Sequence, residues 1–97
     1  MSPAPRQRSG ESFDAAVARI VRSIPAGEVL SYGDVAKRAG APQGARAVAR
    51  ALSRTHGLPW WRVIRADGTL AEAVAAEQAQ LLRAEGVRVA DGRVARG

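Results

Sequence analysis

The sequence contains no cysteine. Disulfide bonds, thiolate metal sites and cysteine nucleophiles are therefore excluded. The single histidine, His56, is too few for a histidine-based metal site. We expect neither a metal ion nor a cofactor.

Long apolar runs are also missing. No stretch approaches the roughly 20 apolar residues that a membrane-spanning helix needs. The N-terminus carries no hydrophobic signal core. We therefore expect a cytoplasmic protein with no place in a membrane.

Acidic residues are scarce, nine against fifteen basic ones, and the formal net charge is +6. Lys37 is the only lysine, so the excess consists of arginine. Such an excess favours a polyanionic partner, either nucleic acid or an anionic membrane surface. The alternative is an arginine-rich coding bias without functional meaning, and charge alone leaves both open.

Aromatic residues are few, yet both tryptophans are adjacent in LPWWRVI, residues 58–64. Neighbouring side chains of one strand or helix point in different directions, so Trp60 and Trp61 cannot both serve one core face. We expect one indole to pack inward and the other to form a pocket wall, where a flat base or an alkyl group can stack. The alternative is that both close a thin core.

The length of 97 residues indicates one domain. Residues 1–10 predict a disordered basic arm, and residues 11–97 the folded domain. Apolar periodicity and capping signals predict helices over residues 12–24, 32–38, 44–54 and 73–84. Asp91-Gly92 predicts a hairpin over residues 87–94. The fold expected is mainly α, a winged helix-turn-helix-like domain with four to five helices and a short C-terminal β-hairpin.

The second and third helices carry the residues that favour DNA. Arg46, Arg50 and Arg54 recur every four residues and share one helix face, where like charges repel unless a polyanion is bound. The alternative is a solvated face with salt bridges to acidic residues. Tyr32 begins the second helix, whose free amides and positive dipole end suit a phosphate. The alternative is a half-buried tyrosine with no ligand.

Four segments, in order, resemble the DNA-binding domain of O6-alkylguanine-DNA alkyltransferases. The similarity runs from about residue 13 to residue 89, nearly the whole predicted domain. The segments are IPAGEVLSYGDVA at 24–36, ARAVARAL at 45–52, LPWWRVI at 58–64 and LLRAEG at 81–86.

The resemblance also indicates that this sequence lacks the catalytic residues of the repair enzymes. The repair enzymes carry Pro-Cys-His-Arg, in which the histidine and a glutamate activate the alkyl-accepting cysteine. Here Trp60 holds the cysteine position, Trp61 the histidine position and Glu85 the glutamate position. This is similar to the alkyltransferase-like proteins, which typically read Pro-Trp-His-Arg and lack transferase activity. Dealkylation needs a nucleophile such as a thiolate, and an indole does not supply one, so we expect no enzyme.

The family resemblance implies a sensor that binds O6-alkylguanine in duplex DNA, flips the nucleotide and hands it to nucleotide excision repair proteins. It makes Arg46 a finger inserted through the minor groove, Tyr32 a residue that pushes the phosphate 3′ to the lesion, and Trp60 a neighbour of the alkyl group. Glu85 loses its usual histidine partner, and Arg62 is expected to brace the pocket loop.

The site residues implied fall into three groups. The DNA-contacting group is Tyr32, Gly33, Ala45, Arg46, Ala47, Ala49 and Arg50. The pocket group is Pro59, Trp60, Val63, Arg65 and Ala66. The structural group is Trp61, Arg62 and Glu85.

We expect a monomer. The alternative function is a winged-helix transcriptional or architectural protein without lesion recognition, in which Trp61 fills the pocket. An enzyme built on Ser31, Asp34 or His56 is disfavoured, because the first two form a helix cap and the histidine has no evident partner.

Overall fold

The structure, a computed structural model, describes residues 10–95. Its helices are α1 (Phe13–Arg22), α2 (Tyr32–Arg38), α3 (Ala45–Arg54) and α4 (Ala75–Ala84), with single 3-10 turns at Trp60–Arg62 and Glu72–Val74. Its strands are β1 (Leu30–Ser31), β2 (Val63–Ile64), β3 (Val89–Ala90) and β4 (Arg93–Val94). The predicted class, mainly helical with a small C-terminal hairpin, is confirmed. Apart from Gly10, the predicted arm lies outside the described residues.

Side-chain caps fix where the first two helices begin. The Ser12 hydroxyl accepts a hydrogen bond from the Ala15 amide at 3.0 Å, so α1 begins one residue after Ser12. The predicted capping box is present: Ser31 accepts from the Asp34 amide at 3.0 Å, and the Asp34 carboxylate accepts from the Ser31 amide at 3.4 Å. This box makes Tyr32 the first residue of α2.

Two core clusters meet at β2. Helices α1, α2 and α3 pack around the first cluster, which includes Val63, whereas Ile64 belongs to the second cluster with Leu82 of α4 and Val94 of the hairpin. Successive residues of a strand point to opposite faces, and this alternation lets β2 serve both clusters. All four residues are fully or almost fully buried.

Strand β2 also joins the helix-turn-helix to the tryptophan-containing segment. It pairs in parallel with β1, Leu30 opposite Val63 and Ser31 opposite Ile64. The sequence predicts an extended piece at residues 28–30 but not its partner. The pairing places the segment after the tryptophans beside the start of α2.

The C-terminal hairpin has the predicted two-residue turn. Asp91 and Gly92 have φ angles of 56° and 71°, both in the left-handed region that an Asp-Gly turn adopts. The hairpin then attaches to the preceding turn: the Leu70 amide donates to the Gly92 carbonyl and the Val94 amide to the Gly68 carbonyl, each at 2.9 Å.

Candidate nucleic-acid interface

An open, mainly apolar cavity of about 300 Å³ lies beside the helix-turn-helix, at the lower end of the size range of ligand sites. Its lining residues are Tyr32, Ala45, Arg46, Ala49, Arg65 and Ala71. Five of the six are residues that the sequence predicts for the site, and they come from three separated segments of the chain. Ala71 was not predicted.

The N-terminal turn of α3 forms one wall of the cavity. Ala45 and Ala49 lie four residues apart on one face, and their small side chains leave the space open. The exposed Arg46 side chain borders the same space and forms no ion pair within residues 10–95. Gly44 precedes the helix, and a Cβ there would lie 2.9 Å from the Ala41 carbonyl oxygen, so the tight turn into α3 requires glycine.

Tyr32 and Arg65 also line the cavity. They directly follow Ser31 and Ile64, the last paired residues of β1 and β2. Burial raises the pKa of the Tyr32 phenol, and the positive charge of Arg65 partly opposes that rise. The phenol therefore stays protonated at neutral pH and can donate a hydrogen bond to a phosphate.

The three arginines of α3 are not equivalent. Arg54 donates two hydrogen bonds from Nη2 and one from Nε to the Asp14 carboxylate, at 3.0 to 3.2 Å. Arg54 therefore forms the kind of salt bridge to an acidic residue that the alternative for this face expects. Arg50 is exposed and has no ion-pair partner within residues 10–95, but it does not line the cavity.

The two indoles take different environments. Trp61 packs against the second core cluster, and its Nε1 is buried without a hydrogen-bond partner. Trp60 is half-buried and contacts Trp61 edge to face, with ring centroids 6.0 Å apart and planes at 85°. One indole thus packs inward as expected.

Four of the five predicted pocket residues, Pro59, Trp60, Val63 and Ala66, are absent from the lining of the cavity. For Val63 the reason is burial, since its side chain is fully enclosed in the first core cluster and cannot line an open space. Gly33 and Ala47 are partly buried neighbours of lining residues without being lining residues themselves.

Arg62 and Glu85 brace the turn that carries the tryptophans. The Arg62 guanidinium donates to both carboxylate oxygens of Glu85, at 3.0 and 2.6 Å, and to the Ile24 carbonyl at 2.8 Å. Gly27 adds a longer amide contact of 3.4 Å to the same carboxylate. Glu85, which has no histidine beside it in the sequence motif, is thus hydrogen-bonded by Arg62.

These contacts determine the charge state of Glu85. Its pKa is lowered mainly by the hydrogen bonds from Arg62 and further by the nearby Trp61 indole N–H and the Gly27 amide. The indole is close enough to act on the carboxylate electrostatically but falls short of hydrogen-bond geometry. The Arg62 guanidinium carbon lies 5.4 Å from the centroid of the Trp61 ring, within the range of a cation–π contact.

Gln78 of α4, which no sequence motif indicated, also holds this turn. Gln78 is only 2% exposed, and its Nε2 donates to the carbonyls of Trp61 and Val63 at 3.0 and 2.9 Å. The available signal was its position four residues before the buried Leu82, which places it on the inner face of α4.

The sequence matches, over residues 12–87, the family described as "6-O-methylguanine DNA methyltransferase, DNA binding domain". The chain belongs to this family. It is 46% identical over 84 residues to the DNA base-flipping protein of Escherichia coli K12, covering 81% of this chain and 65% of that protein. It is 37% identical over 86 residues to Alkyltransferase-like protein 1 of Schizosaccharomyces pombe, covering 81% and 80%.

The fold agrees with that membership. The crystal structure of S. pombe Atl1 in complex with damaged DNA containing O6-carboxymethylguanine matches with a TM-score of 0.79 and 33% identity, covering 88% of both chains. The predicted resemblance is confirmed. Its relatives in the family include proteins named for base flipping and an alkyltransferase-like protein, and the sequence has no cysteine that could accept an alkyl group.

Two kinds of feature are absent from the part of the chain that the structure describes. No three acidic or histidine side chains come together as a metal site within residues 10–95. Over the same residues, every helix is too short or too polar to cross a bilayer.

Proposed function

We propose that this chain is a non-enzymatic DNA-damage sensor that binds O6-alkylguanine in duplex DNA, flips the nucleotide and directs the lesion to nucleotide excision repair. The observation that carries the proposal is the cavity, which joins Tyr32 from the start of α2, Arg46 from the start of α3 and Arg65, the residue after β2. A phenol donor and two arginines around an apolar space suit a nucleotide, which has a flat base and an anionic phosphate.

In this proposal Arg46 enters through the minor groove and fills the gap left by the flipped base. Tyr32 presses on the phosphate 3′ to the lesion, and Arg65 offsets the phosphate charge beside it. The backbone of the duplex runs along the first turns of α2 and α3. That interface comprises Gly33, Ala45, Ala47, Ala49 and Arg50.

The base and its alkyl group extend toward the turn that holds Trp60. Because Trp60 does not line the cavity, the alkyl group must extend beyond the cavity to reach this indole. Flipping costs a few kcal/mol, and less for a damaged base that already pairs poorly. Each methylene buried against an apolar wall returns about 0.8 kcal/mol, so we expect adducts larger than methyl to be tolerated.

The relatives support the same function. The E. coli relative is named a DNA base-flipping protein, and the matching S. pombe structure contains damaged DNA with an O6-alkylated guanine. The chain spans about two thirds of the E. coli protein, so the function of that whole protein enters here only as part of the proposal. We propose that the sensor acts as a monomer in the cytoplasm, with excision-repair proteins as its partners.

The decisive experiment compares two duplexes that differ only in one O6-methylguanine. Binding is measured at one fixed salt concentration, because affinity for the DNA backbone depends steeply on salt. Tighter binding to the modified duplex is expected, and equal binding would contradict lesion recognition. Coupling to repair is tested separately: the protein should increase incision of the modified duplex by purified excision-repair components.

One observation favours a second candidate, a winged-helix DNA-binding protein without lesion recognition. Neither tryptophan lines the cavity, and the partly buried Trp61 packs against the second core cluster. That candidate predicts equal binding to the two duplexes and a preference for some undamaged sequence. The same measurement therefore separates the two functions.

A further inference from the structure

The C-terminal hairpin begins after residue 87, the last residue that matches the family. Strand β4 lies between β3 and the segment at residues 68–70, because Thr69 forms an antiparallel bridge with Arg93. The backbone of the hairpin is thereby joined to the turn that begins with Arg65, one of the residues lining the cavity.

The two faces of the hairpin differ in character. Val89 and Val94 are paired and buried against α4, whereas the paired residues Ala90 and Arg93 lie on the opposite, exposed face. The same alternation places the exposed Arg88 on that outer face. Because the residues opposite the two arginines are alanines, no side chain across the hairpin covers either guanidinium.

Gly68 brings Arg93 close to the turn. It has a φ of 88°, and a Cβ there would lie 3.3 Å from the Val94 carbonyl oxygen and 3.4 Å from Arg93 Cγ. The Arg93 stem therefore crosses directly over this glycine. A side chain at residue 68 would push the hairpin away from the turn.

The Asp67 carboxylate lies near both Arg93 and Arg65, but its hydrogen bonds are formed with Thr69. Asp67 accepts hydrogen bonds from the Thr69 amide at 3.0 Å and the Thr69 hydroxyl at 2.7 Å. These bonds are the main cause of its lowered pKa, and the charges of Arg93 and Arg65 add to the effect. Neither arginine forms an ion pair within residues 10–95, so both guanidinium groups remain available to an external anion.

We propose that the outer face of the hairpin, formed by Arg88 and Arg93, binds the phosphate backbone of the duplex that occupies the cavity. Arg65 makes this face continuous with the cavity, and Asp91 at the hairpin tip is the only carboxylate of β3, β4 and their connecting turn. A regular array of phosphates complements such a face, because each contact needs positive charge and no sequence. The inference rests on the proposed function and extends its footprint.

The test measures binding of the full chain to the lesion duplex and the plain duplex over a range of salt concentrations. Arg93→Ala should weaken binding to both duplexes by the same several-fold factor. It should lower the slope of log affinity against log salt by about one, as expected for one lost phosphate contact. Arg93→Lys should retain the slope.

Arg22→Ala is the matched control, because it removes the same charge from an exposed position on α1, which contributes nothing to the cavity. It should leave the slope unchanged. If Arg93→Ala does not give a folded circular dichroism spectrum, Arg88→Ala replaces it, since no side-chain hydrogen bond or ion pair holds Arg88 within residues 10–95.

The outcomes separate this inference from the proposed function. A slope like that of the wild type, or a loss confined to the lesion duplex, would overturn the hairpin contact. Equal binding of the wild type to both duplexes would overturn lesion sensing instead. In that case, the slope of log affinity against log salt for the plain duplex still tests whether the hairpin contacts the phosphate backbone.

Discussion

Tyr32 and Arg65 both line the cavity, each directly following a residue of the last β1–β2 pair, and the Arg65 charge acts on the Tyr32 phenol. Burial raises the pKa of the phenol above its ordinary value of 10.0, and the guanidinium charge pulls it back. A raised folded-state pKa stabilises the fold below the unfolded pKa, and this stability is lost as pH rises through the folded pKa.

Removing Arg65 should therefore raise the pKa of Tyr32 further. Tyr32 is the only tyrosine, so ultraviolet absorbance of the phenolate reports this group alone. We expect Arg65→Ala to shift the titration to higher pH, with Arg88→Ala as the control that leaves it in place. An unchanged midpoint in Arg65→Ala would contradict the electrostatic contact.

Arg46 and Arg50 should separate the two kinds of DNA contact on α3. Arg46 lines the cavity and Arg50 does not. Arg46→Ala should cost roughly 1–3 kcal/mol in binding free energy for the lesion duplex, as for loss of a specific contact. Arg50→Ala should weaken binding to lesion and plain duplex equally. Fluorescence anisotropy at fixed salt measures the affinity of each variant for the two duplexes. If both variants lose the same affinity for the same duplexes, Arg46 does not fill the gap left by the flipped base.

The Arg62–Glu85 pair predicts a pH-dependent loss of stability. Both side chains are about 15% exposed and hydrogen-bonded in charged form, so Glu85→Gln should lower the free energy of unfolding by about 1.5–3 kcal/mol at neutral pH. The pKa of Glu85 is lowered, so its contribution is present above the ordinary value of 4.5 and lost as pH falls through the folded pKa.

Urea unfolding of wild type and Glu85→Gln at several pH values measures this contribution. The difference in free energy should be largest above pH 4.5 and narrow as the solution becomes more acidic. Glu77→Gln, on the exposed side of α4, is the control and should show little difference at any pH. A difference in the free energy of unfolding that does not change with pH would mean that Glu85 stabilises the fold through packing alone.

Gln78 should matter more than any other polar residue of α4. Gln78→Met keeps similar bulk but leaves the Trp61 and Val63 carbonyls without their donor, which should cost about 1–3 kcal/mol in the free energy of unfolding. Gln80→Met makes the same chemical change at an exposed position and should stay within about 0.5 kcal/mol of the wild type. If both variants lower the free energy of unfolding in urea by the same amount, the hydrogen bonds of Gln78 do not stabilise the turn.

Trp60→Ala tests where the alkyl group lies. If the adduct contacts this indole, the variant should lose preference for alkylated over plain duplex more than it loses overall affinity. Stacking on an aromatic ring is worth about 1–3 kcal/mol, which sets the size of the expected loss. A uniform drop for both duplexes would place the alkyl group elsewhere in the cavity.

The local features of the fold could be predicted from the sequence, because their causes lie within a few residues. The Ser31 capping box and the Asp91-Gly92 turn both depend on short-range hydrogen bonds or on φ angles that few residues adopt. These features set the start of α2 and the register of the hairpin.

Contacts between distant segments could not be predicted in the same way. Strands β1 and β2 have two residues each, too few for an alternating pattern to identify them or their partner. The pairing of Arg54 with Asp14 depends on how α3 crosses α1, which the spacing of arginines does not contain. The family resemblance gave Glu85 a place at the site, but not Arg62 as its partner, since Trp61 occupies the histidine position.

The cavity is bounded by segments that are distant in the sequence and that only the completed fold brings together. The β1–β2 pairing joins two of these segments. An oligonucleotide that spans these segments binds the folded chain and not the unfolded one, so it raises the melting temperature in proportion to the logarithm of its concentration over its dissociation constant. Heating the protein with a panel of short duplexes would thus rank adducts by affinity without labelling either molecule.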